Sequence, residues 1–378
     1  MISDIKLKFA FLLTSLETGG IEKYTLRLLE YLKFNYPNIQ VDVICKSGKA
    51  GALESAIKST GANIILHKLS YFGVSDKIKL LKLFKSNKYD SVMDFSGDFA
   101  GFPLYLAKKA KIPTRIAFYR GSTHHHKTDP LRMLYYNLVK YLTTNNSTKI
   151  LANSKTGLTF FRSNWENDQS GRYDIIYNGI PVDRFNKEID AKALKESLGI
   201  PADSLVIGHV GRFNEAKNHD TIIKVAEKLL ANNSNVYFLL CGRDVPEGLS
   251  KQVSTMENSN RIIMPGDRND IPDLMQIMDI FFFPSRHEGQ PNAFLEAIIS
   301  KLPFVASNIG SIKESIPEKY HNWLRSPGDK EGYISLLQER IITLNSSQTK
   351  KDAELLSQYA QEKYSPAKCF NAITQYLI

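Results

Sequence analysis

Two charged groups in the second half of the sequence have the residue types and spacing that bind phosphates and hydroxyls. Arg212 and Lys217 follow an apolar run, Leu205–Val210, and precede a helical pattern at Thr221–Leu230. A helix N-terminus favours negative charge, and an Arg with a Lys suits two linked phosphates. Basic side chains in loops are often merely solvated, so this group predicts an anion site only together with the second one.

The second group is Glu288 and Glu296, eight residues apart in PSRHEGQPNAFLEA. A helix is expected to begin near Pro291 and Asn292. In a continuous helix this spacing separates the carboxylates by roughly 12 Å, so they would contact different parts of one extended ligand. A carboxylate accepts two hydroxyls of a sugar or ribose, and helix-start amides hold phosphate. Surface charge is the alternative, and the flanking Pro, Ser, Gly and Asn residues argue against it.

The elements that must position these groups are strands alternating with helices along the whole chain. Apolar runs predict strands at Lys8–Leu13, Gln40–Cys45, Asn63–His67, Ser91–Phe95, Arg115–Phe118, Lys149–Ala152, Asp174–Tyr177, Leu205–Val210, Val236–Cys241, Arg261–Met264, Ile280–Pro284 and Phe304–Ser307. Such alternation predicts an α/β protein of two doubly wound, Rossmann-like domains facing across a cleft. We place the first domain at 1–184 and the second at 185–364, followed by a last segment at 365–378.

Composition excludes several other classes of protein. The 378 residues suffice for two domains, and 43% hydrophobic content is ordinary for a globular protein. No apolar stretch approaches the roughly 20 residues of a membrane-spanning helix. The apolar run Phe9–Leu13 is too short for a signal peptide and lacks a cleavage site, so a cytoplasmic location is expected. Cys45, Cys241 and Cys369 are predicted to be buried free thiols rather than disulfides or metal ligands.

The positive charge is concentrated in the first half of the chain. Residues 1–185 carry a net charge of +12 and the remainder −2, within a total of +10. Within that half, Val74–Tyr89 combines apolar positions with five lysines. The charge of the first half suggests an anionic partner, such as a membrane surface or a phosphorylated lipid, with a solubilising surface as the alternative. For Val74–Tyr89 itself, an ordinary helix packed on its sheet is favoured over a helix that lies on a membrane. Nucleic acid is not expected, since no recognisable nucleic-acid module is present.

In the segment that contains Glu288 and Glu296, the sequence resembles the retaining glycosyltransferases of family 4, which have the GT-B fold. Their Glu-x7-Glu motif is matched by Glu288 and Glu296. The resemblance extends over nearly the whole chain, through Gly19-Gly20, IIYNGIPVDRF, GHVGRFNEAKN, DIPDLMQIMDIFFFPS and PFVASNIGSIKE. The segment KYSPAKCFNAITQYLI resembles the last helix of the family, which packs back on the first domain.

The resemblance implies a role for each matched residue. Arg212 and Lys217 would neutralise the donor diphosphate, and Glu296 would hold ribose hydroxyls. Glu288 would contact the transferred sugar and so act, with Arg212 and Lys217, in catalysis. The remaining implied donor contacts are Gly19, Gly20, Gly289, Asn292 and Ala293. The expected donor is a UDP- or GDP-sugar, with no metal or other cofactor.

The first domain departs from the family pattern near the reacting carbon. Arg120 occupies one usual histidine position, in YRGSTHHHKTD, and His124 with the next two histidines follows. One of these histidines contacts substrate, or all three lie on a loop surface; a metal cluster is the third alternative. Asp94 and Asp98, after another strand, are candidates for the acceptor pocket together with Arg120.

The second domain departs at two positions, where Lys301 and Ser311 stand in place of usual glycines. These leave the implied reaction unchanged: retaining transfer of a hexose or N-acetylhexosamine to a glycan or lipid-diphosphate-linked acceptor. The setting expected for such an acceptor is bacterial capsule or O-antigen synthesis. The basic first half and Val74–Tyr89 add the hypothesis of a peripheral position on the cytoplasmic face of the inner membrane. The alternatives are a nucleotide-sugar epimerase, an inverting transferase and a non-catalytic sugar-binding protein.

Overall fold

The chain folds into two compact α/β units. A computed structural model describes residues 6–122, 130–185 and 187–378, except the side chain of Leu131. The first unit extends to Gly179 and also includes Pro366–Ile378, while the second unit is Ile180–Ser365. The last twelve-residue helix therefore belongs to the first unit, although the second unit precedes it in the sequence.

The first unit is built on a seven-stranded parallel sheet with strand order β3-β2-β1-β4-β5-β6-β7. Its strands are β1 (Lys8–Leu13), β2 (Gln40–Cys45), β3 (Asn63–Leu66), β4 (Ser91–Asp94), β5 (Thr114–Tyr119), β6 (Lys149–Ala152) and β7 (Tyr173–Ile175). Its helices are α1 (Gly20–Asn35), α2 (Glu54–Ser59), α3 (Val74–Asn87), α4 (Gly101–Lys109), α5 (Pro130–Asn146) and α6 (Lys155–Phe161). The strand order reverses between β1 and β4, and such a switch point opens a crevice at the carboxyl ends of the strands.

The second unit repeats this plan with six parallel strands in the order β10-β9-β8-β11-β12-β13. Its strands are β8 (Leu205–Val210), β9 (Val236–Cys241), β10 (Ile262–Gly266), β11 (Ile280–Phe283), β12 (Phe304–Ser307) and β13 (Leu324–Arg325). Its helices are α7 (Ala191–Ser197), α8 (His219–Asn232), α9 (Val245–Val253), α10 (Ile271–Gln276), α11 (Asn292–Ile299), α12 (Gly310–Lys313), α13 (Lys330–Thr343) and α14 (Ser347–Lys363). Here the switch point lies between β8 and β11. The predicted doubly wound class is confirmed for both units.

The central strands form because both of their faces are buried. In β1, Phe9 and Phe11 pack on one face of the sheet, whereas Ala10 and Leu12 pack on the other. Strands covered on both faces read as continuous apolar runs, as KFAFLL does. The last helix, α15 (Pro366–Leu377), covers the first of these faces beside α1, where Phe370 lies 5.5 Å from the ring of Tyr24.

The departure at Lys301 has a visible structural consequence. Helix α11 ends in a Schellman motif, in which the Lys301 amide donates to Ile298 and the Leu302 amide donates to Ala297. This motif places Lys301 in the left-handed region, with φ of 60°. Glycine is favoured at such a position, and Lys301 instead forms a 2.7 Å surface ion pair with Glu354.

Candidate functional site

An ion pair joins the two loops that flank the switch point of the second unit. Lys217 Nζ lies 2.6 Å from Glu288 Oε1, and their side chains are only 17% and 12% exposed. Lys217 leaves the loop after β8, and Glu288 leaves the loop after β11, so the pair spans the crevice. The two sequence groups that predicted phosphate and hydroxyl binding are therefore brought together at one place.

Two asparagines hold the Lys217 turn in position. The Asn214 side chain caps the short 3₁₀ turn Glu215–Lys217 by accepting from the Lys217 amide. Asn218 adopts the left-handed conformation, and its amide donates to the carbonyls of Pro284 and Pro327 at 2.9 and 2.8 Å. These bonds connect the loops after β8, β11 and β13. Sequence reasoning missed both asparagines, although an Asn that follows a turn and precedes a helix is a recognisable capping signal.

The floor of the crevice is aromatic and buried. Lys217 Nζ stands 4.7 Å from the centre of the Phe283 ring, a cation–π contact. His209 and His219 are both buried beneath it, with ring centres 5.2 Å apart. Burial holds the pKa of His209 well below its usual range and lowers the pKa of His219 to about 4, helped by positive Lys217. Both rings are therefore neutral at neutral pH and leave Lys217 as the local cation.

Close backbone packing brings the turn after β8 toward the one after β9. Gly242 has φ of 157°, and a Cβ there would stand 2.1 Å from the carbonyl oxygen of Gly211. No side chain larger than hydrogen fits between these strands. Arg212 follows directly and is exposed, and it forms no ion pair within the described ranges. Its guanidinium is thus on the same edge as Lys217 and available to an anion.

The helix after the Glu288 loop begins at Asn292, with Pro291 at the N-cap position and no side-chain cap. Gly289, Asn292, Ala293 and Glu296 are all partly exposed along this loop and the first turns of α11. Because α11 begins only at Asn292, Glu288 lies in the loop and Glu296 just over one turn inside the helix. The first amides of a helix lack partners within it and favour an anion. This placement agrees with the predicted arrangement of two carboxylates around a helix start.

In the first unit, Asp94 is fully buried at the end of β4. Both of its carboxylate oxygens accept from Lys46 Nζ at 2.7 Å, and Oδ1 also accepts from the Ser96 amide. The Lys46–Asp94 pair connects the ends of β2 and β4 on either side of β1. With its lone pairs occupied by these donors, the carboxylate fixes the edge of the sheet.

Asp98 is also interior, at 3% exposed. Its Oδ1 accepts from Tyr119 and Arg162 at 2.5 and 2.8 Å, and its Oδ2 accepts from Tyr136 at 2.6 Å. The predicted acceptor role for Asp98 has no support in this geometry, because the carboxylate is enclosed by three donors. The hydrogen bonds instead connect the segment that contains Asp98 with β5, α5 and the end of α6.

Arg120 differs from both aspartates. It follows β5, and its guanidinium carbon stands 3.9 Å from the Tyr24 ring centre and 5.1 Å from that of Phe118. Gly19 precedes α1 in extended conformation, and the side chain of Glu22 folds back toward it. Around Gly20 a Cβ would meet nothing within 4 Å. The structure thus places Arg120 over the first turns of α1, near the predicted glycine pair.

Some predicted features lie outside what the structure describes. His124 and the two histidines after it fall in residues 123–129. Within the described ranges, no three His, Cys, Asp or Glu residues lie close enough together to hold a metal ion. Cys45, Cys241 and Cys369 are free and buried, as predicted. Ser311 is buried in α12, and its hydroxyl has no hydrogen-bond partner among the described residues.

The arrangement in the second unit can bind a nucleotide. Two cations and a helix start surround one crevice at a switch point, where doubly wound sheets take phosphates, and nearby carboxylates suit hydroxyls. Together with the two doubly wound units, this combination is typical of enzymes with the GT-B fold.

Comparison with known protein families identifies the enzyme family to which the chain belongs. Residues 190–363 match the model of the glycosyl transferases group 1, and residues 18–184 match that of Glycosyltransferase Family 4. The chain belongs to glycosyltransferase family 4, and it is a glycosyltransferase.

Relatives of similar length agree with this assignment. The chain is 25% identical over 342 residues to the UDP-Gal:alpha-D-GlcNAc-diphosphoundecaprenol alpha-1,3-galactosyltransferase of Escherichia coli, covering 88% of this chain and 87% of the relative. It is 26% identical to the capsular polysaccharide biosynthesis glycosyltransferase CapH of Staphylococcus aureus, covering 90% and 96%. The fold matches the crystal structure of Anabaena Alr3699/HepE in complex with UDP and glucose, with a TM-score of 0.79, 19% identity and coverage of 98% and 99%.

Proposed function

We propose that this protein transfers a hexose or N-acetylhexosamine from a UDP-sugar to a lipid-diphosphate-linked glycan, with retention of anomeric configuration. The observation that carries the proposal is the Lys217–Glu288 pair across the switch point of the second unit. Such a pair holds the lysine ready for phosphate and the glutamate ready for a sugar hydroxyl, and a bound donor would take up both. The setting would be assembly of a bacterial capsule or O-antigen.

For the donor, each described group has a chemical task. Lys217 and Arg212 supply positive charge to the diphosphate, while Glu296 accepts the ribose hydroxyls from within α11. Glu288 accepts hydroxyls of the transferred sugar. UDP is favoured over GDP because the E. coli relative is named for UDP-Gal, and the HepE structure contains UDP.

The two cations also support a reaction that needs no metal. When the sugar leaves the diphosphate, negative charge grows on the phosphate oxygens, and positioned cations stabilise it. The acceptor would attack from the face that the diphosphate leaves, with the diphosphate taking the acceptor proton. Attack from that face retains the configuration.

A surface of the first unit supports a lipid-linked acceptor. Its exposed apolar side chains are Tyr71, Phe72, Val74, Ile78, Leu134, Leu138 and Tyr141, which we call the aromatic surface. Tyr71 and Phe72 contact Tyr135 of α5 at 5.3 and 5.7 Å between ring centres, so the loop before α3 and α5 form one patch. Exposed aromatic and apolar residues in one patch mark an interaction site.

Lysines accompany this surface. Lys79, Lys82 and Lys85 are exposed on α3. Helix α3 itself packs on its sheet through Leu80 and Phe84, which are buried, as in the ordinary-helix alternative. The apolar contact with a membrane would thus come from the aromatic surface and the electrostatic contact from α3. Within the described ranges, no helix has both the length and the apolar character to cross a membrane.

Donor turnover tests the central proposal. Purified protein is given UDP-Gal, UDP-Glc, UDP-GlcNAc, UDP-GalNAc and GDP-Man in EDTA, with a synthetic GlcNAc-diphosphate lipid as acceptor. We expect one UDP-sugar to be used, with the product showing the donor's anomeric configuration by NMR. Glu288→Gln should abolish most transfer, whereas Glu227→Gln, an exposed change on α8, should not. An inverted product, or activity only after a metal is added, would contradict the mechanism.

Vesicle flotation tests the membrane surface separately. The protein should float with vesicles rich in phosphatidylglycerol and not with phosphatidylcholine vesicles. The double variant Phe72→Ser/Tyr141→Ser should stay in the dense fraction that contains no vesicles. It should still transfer sugar to a water-soluble acceptor. Equal flotation of variant and wild type would remove the aromatic surface from the proposal.

A further inference from the structure

The guanidinium of Arg120 is buried and has no ion-pair partner among the described residues, although the Glu22 carboxylate of α1 favours its charge from a distance. Its Nε and Nη1 are inaccessible to water and donate no hydrogen bond to any described residue. No described carboxylate forms an ion pair with it, and burial lowers its pKa to about 10. It therefore stays charged at neutral pH while its donors remain unused.

A buried guanidinium of this kind destabilises the folded protein unless a bound group accepts its hydrogen bonds. A buried charge without hydrogen bonds loses several kcal/mol of solvation, and stacking on Tyr24 recovers only part of that. Arg162 in the same unit shows the contrast, because it is paired with Asp98 at 2.8 Å. The hydroxyl of Tyr24 is likewise buried; it interacts electrostatically with Arg120 but makes no hydrogen bond of good geometry to a described residue. Unused donors beside one another indicate a missing acceptor.

The place of Arg120 in the fold shows what kind of acceptor fits. It follows β5, which pairs with β4 at the switch point of the first unit, and it lies over the first turns of α1. Ligands of doubly wound sheets bind at this edge. Charged guanidinium donors at this edge suit a phosphate, whose oxygens accept charge-assisted hydrogen bonds.

We infer that Arg120 binds a phosphate oxygen of a substrate diphosphate, a role that rests on the proposed function. The chemistry is the same for the two diphosphates of that reaction, that of the UDP-sugar and that of the lipid-linked acceptor. The second unit already supplies Lys217 and Arg212 for an anion, so Arg120 is a separate phosphate site in the first unit.

Two variants and a control test this role. Arg120→Met keeps an unbranched chain on the Tyr24 ring and removes the charge; Arg120→Lys keeps a charge without the fork. Lys33→Gln removes an exposed cation from the same helix as Tyr24. For each protein, calorimetry gives the Kd of UDP. Steady-state kinetics give KM for the GlcNAc-diphosphate lipid and for the same glycan on an uncharged alkyl chain.

We expect Arg120→Met to weaken one diphosphate ligand by about 10- to 100-fold, with Arg120→Lys between it and wild type. A rise in the KM of the diphosphate lipid alone assigns the site to the acceptor, and a rise in the Kd of UDP assigns it to the donor. The alkyl acceptor should be unaffected in the first case. The melting temperature of Arg120→Met should equal or exceed that of wild type, because an unpaired buried charge is removed.

Two results would overturn the inference. Unchanged affinity for both diphosphates would show that Arg120 binds neither. A lower melting temperature, with equal losses for charged and uncharged acceptors, would show that Arg120 only supports the fold. Failure of the wild-type protein, in which Arg120 is intact, to bind UDP or transfer sugar would instead count against the proposed function.

Discussion

The two units share a topology but use their buried charges differently. In the first unit, Asp98 lies against Arg162, Tyr119 and Tyr136, and its ion pair is 8% and 2% exposed. In the second unit, Glu288 and Lys217 meet across the mouth of a crevice and are 12% and 17% exposed. The first pair is enclosed by further donors, while the second can exchange its partner for a ligand.

This difference shows how one kind of interaction serves two purposes. A buried pair surrounded by further donors resists separation, because either charge left alone would be poorly solvated. A pair at the edge of a sheet keeps both groups charged and oriented until substrate replaces each partner. We therefore expect the Asp98 network to govern stability and the Lys217–Glu288 pair to govern activity.

The largest expected effect comes from Asp98→Asn. It leaves Arg162 without its carboxylate and should cost about 3–5 kcal/mol of unfolding free energy, measured by urea denaturation. Glu30→Gln, an exposed change on α1, should cost less than about 0.5 kcal/mol. Under conditions where the variant is folded, its kcat/KM should remain within a few-fold of wild type. Lost turnover in a protein of unchanged stability would return Asp98 to the acceptor pocket.

Lys217→Met should show the reverse pattern. Removing a cation aimed at the developing phosphate charge should lower kcat/KM by about 100- to 1000-fold. Stability should fall by no more than about 2 kcal/mol, because the crevice lets water reach Glu288. The matched control is Lys224→Met, an exposed lysine on α8. Normal kcat/KM in Lys217→Met would show that the pair across the switch point is structural.

The sequence predicted the strands well because buried parallel strands leave continuous apolar runs. The bounds of β1, β2, β6, β8, β9 and β12 agree with the predicted runs to the residue. Strand β13, with only Leu324 and Arg325, was missed because two residues carry no periodic pattern. At the ends of other strands, predictions and structure differ by one or two residues, as expected where hydrogen bonding decides the end.

The sequence predicted site residues only where the residues that act together lie close to one another in the chain. Glu288 and Glu296 share one loop and helix, so their spacing carried information. Asp98 depends on Tyr119, Tyr136 and Arg162, which are 21 to 64 residues away, and local pattern cannot reveal such partners. The unused donors of Arg120 are equally invisible in sequence, because only packing shows that they meet no acceptor among the described residues.

Acid should weaken the second unit through His219. Its folded pKa of about 4 lies below the usual value of 6.5, so the unfolded chain takes up a proton first as pH falls. This contribution to stability is complete above pH 6.5 and is lost toward pH 4. Between pH 6.5 and 5 the wild type should lose up to about 2 kcal/mol more than His219→Phe, measured by urea denaturation at each pH. Parallel pH profiles would show that His219 is accessible to protons in the folded state.

The smallest expected effect is that of Lys301→Gly, which should change the stability of the second unit and leave its activity unchanged. Lys301→Gly relieves a left-handed lysine at the end of α11, away from the crevice, and should raise the unfolding free energy by about 0.5–1 kcal/mol. The gain is limited because the change also removes the surface pair with Glu354, and Glu354→Gln measures that part alone. Transfer by Lys301→Gly should equal that of wild type. A stabilised protein with slower transfer would show that the end of α11 influences Glu296 in the middle of the same helix. Stability and activity would then be coupled in the second unit.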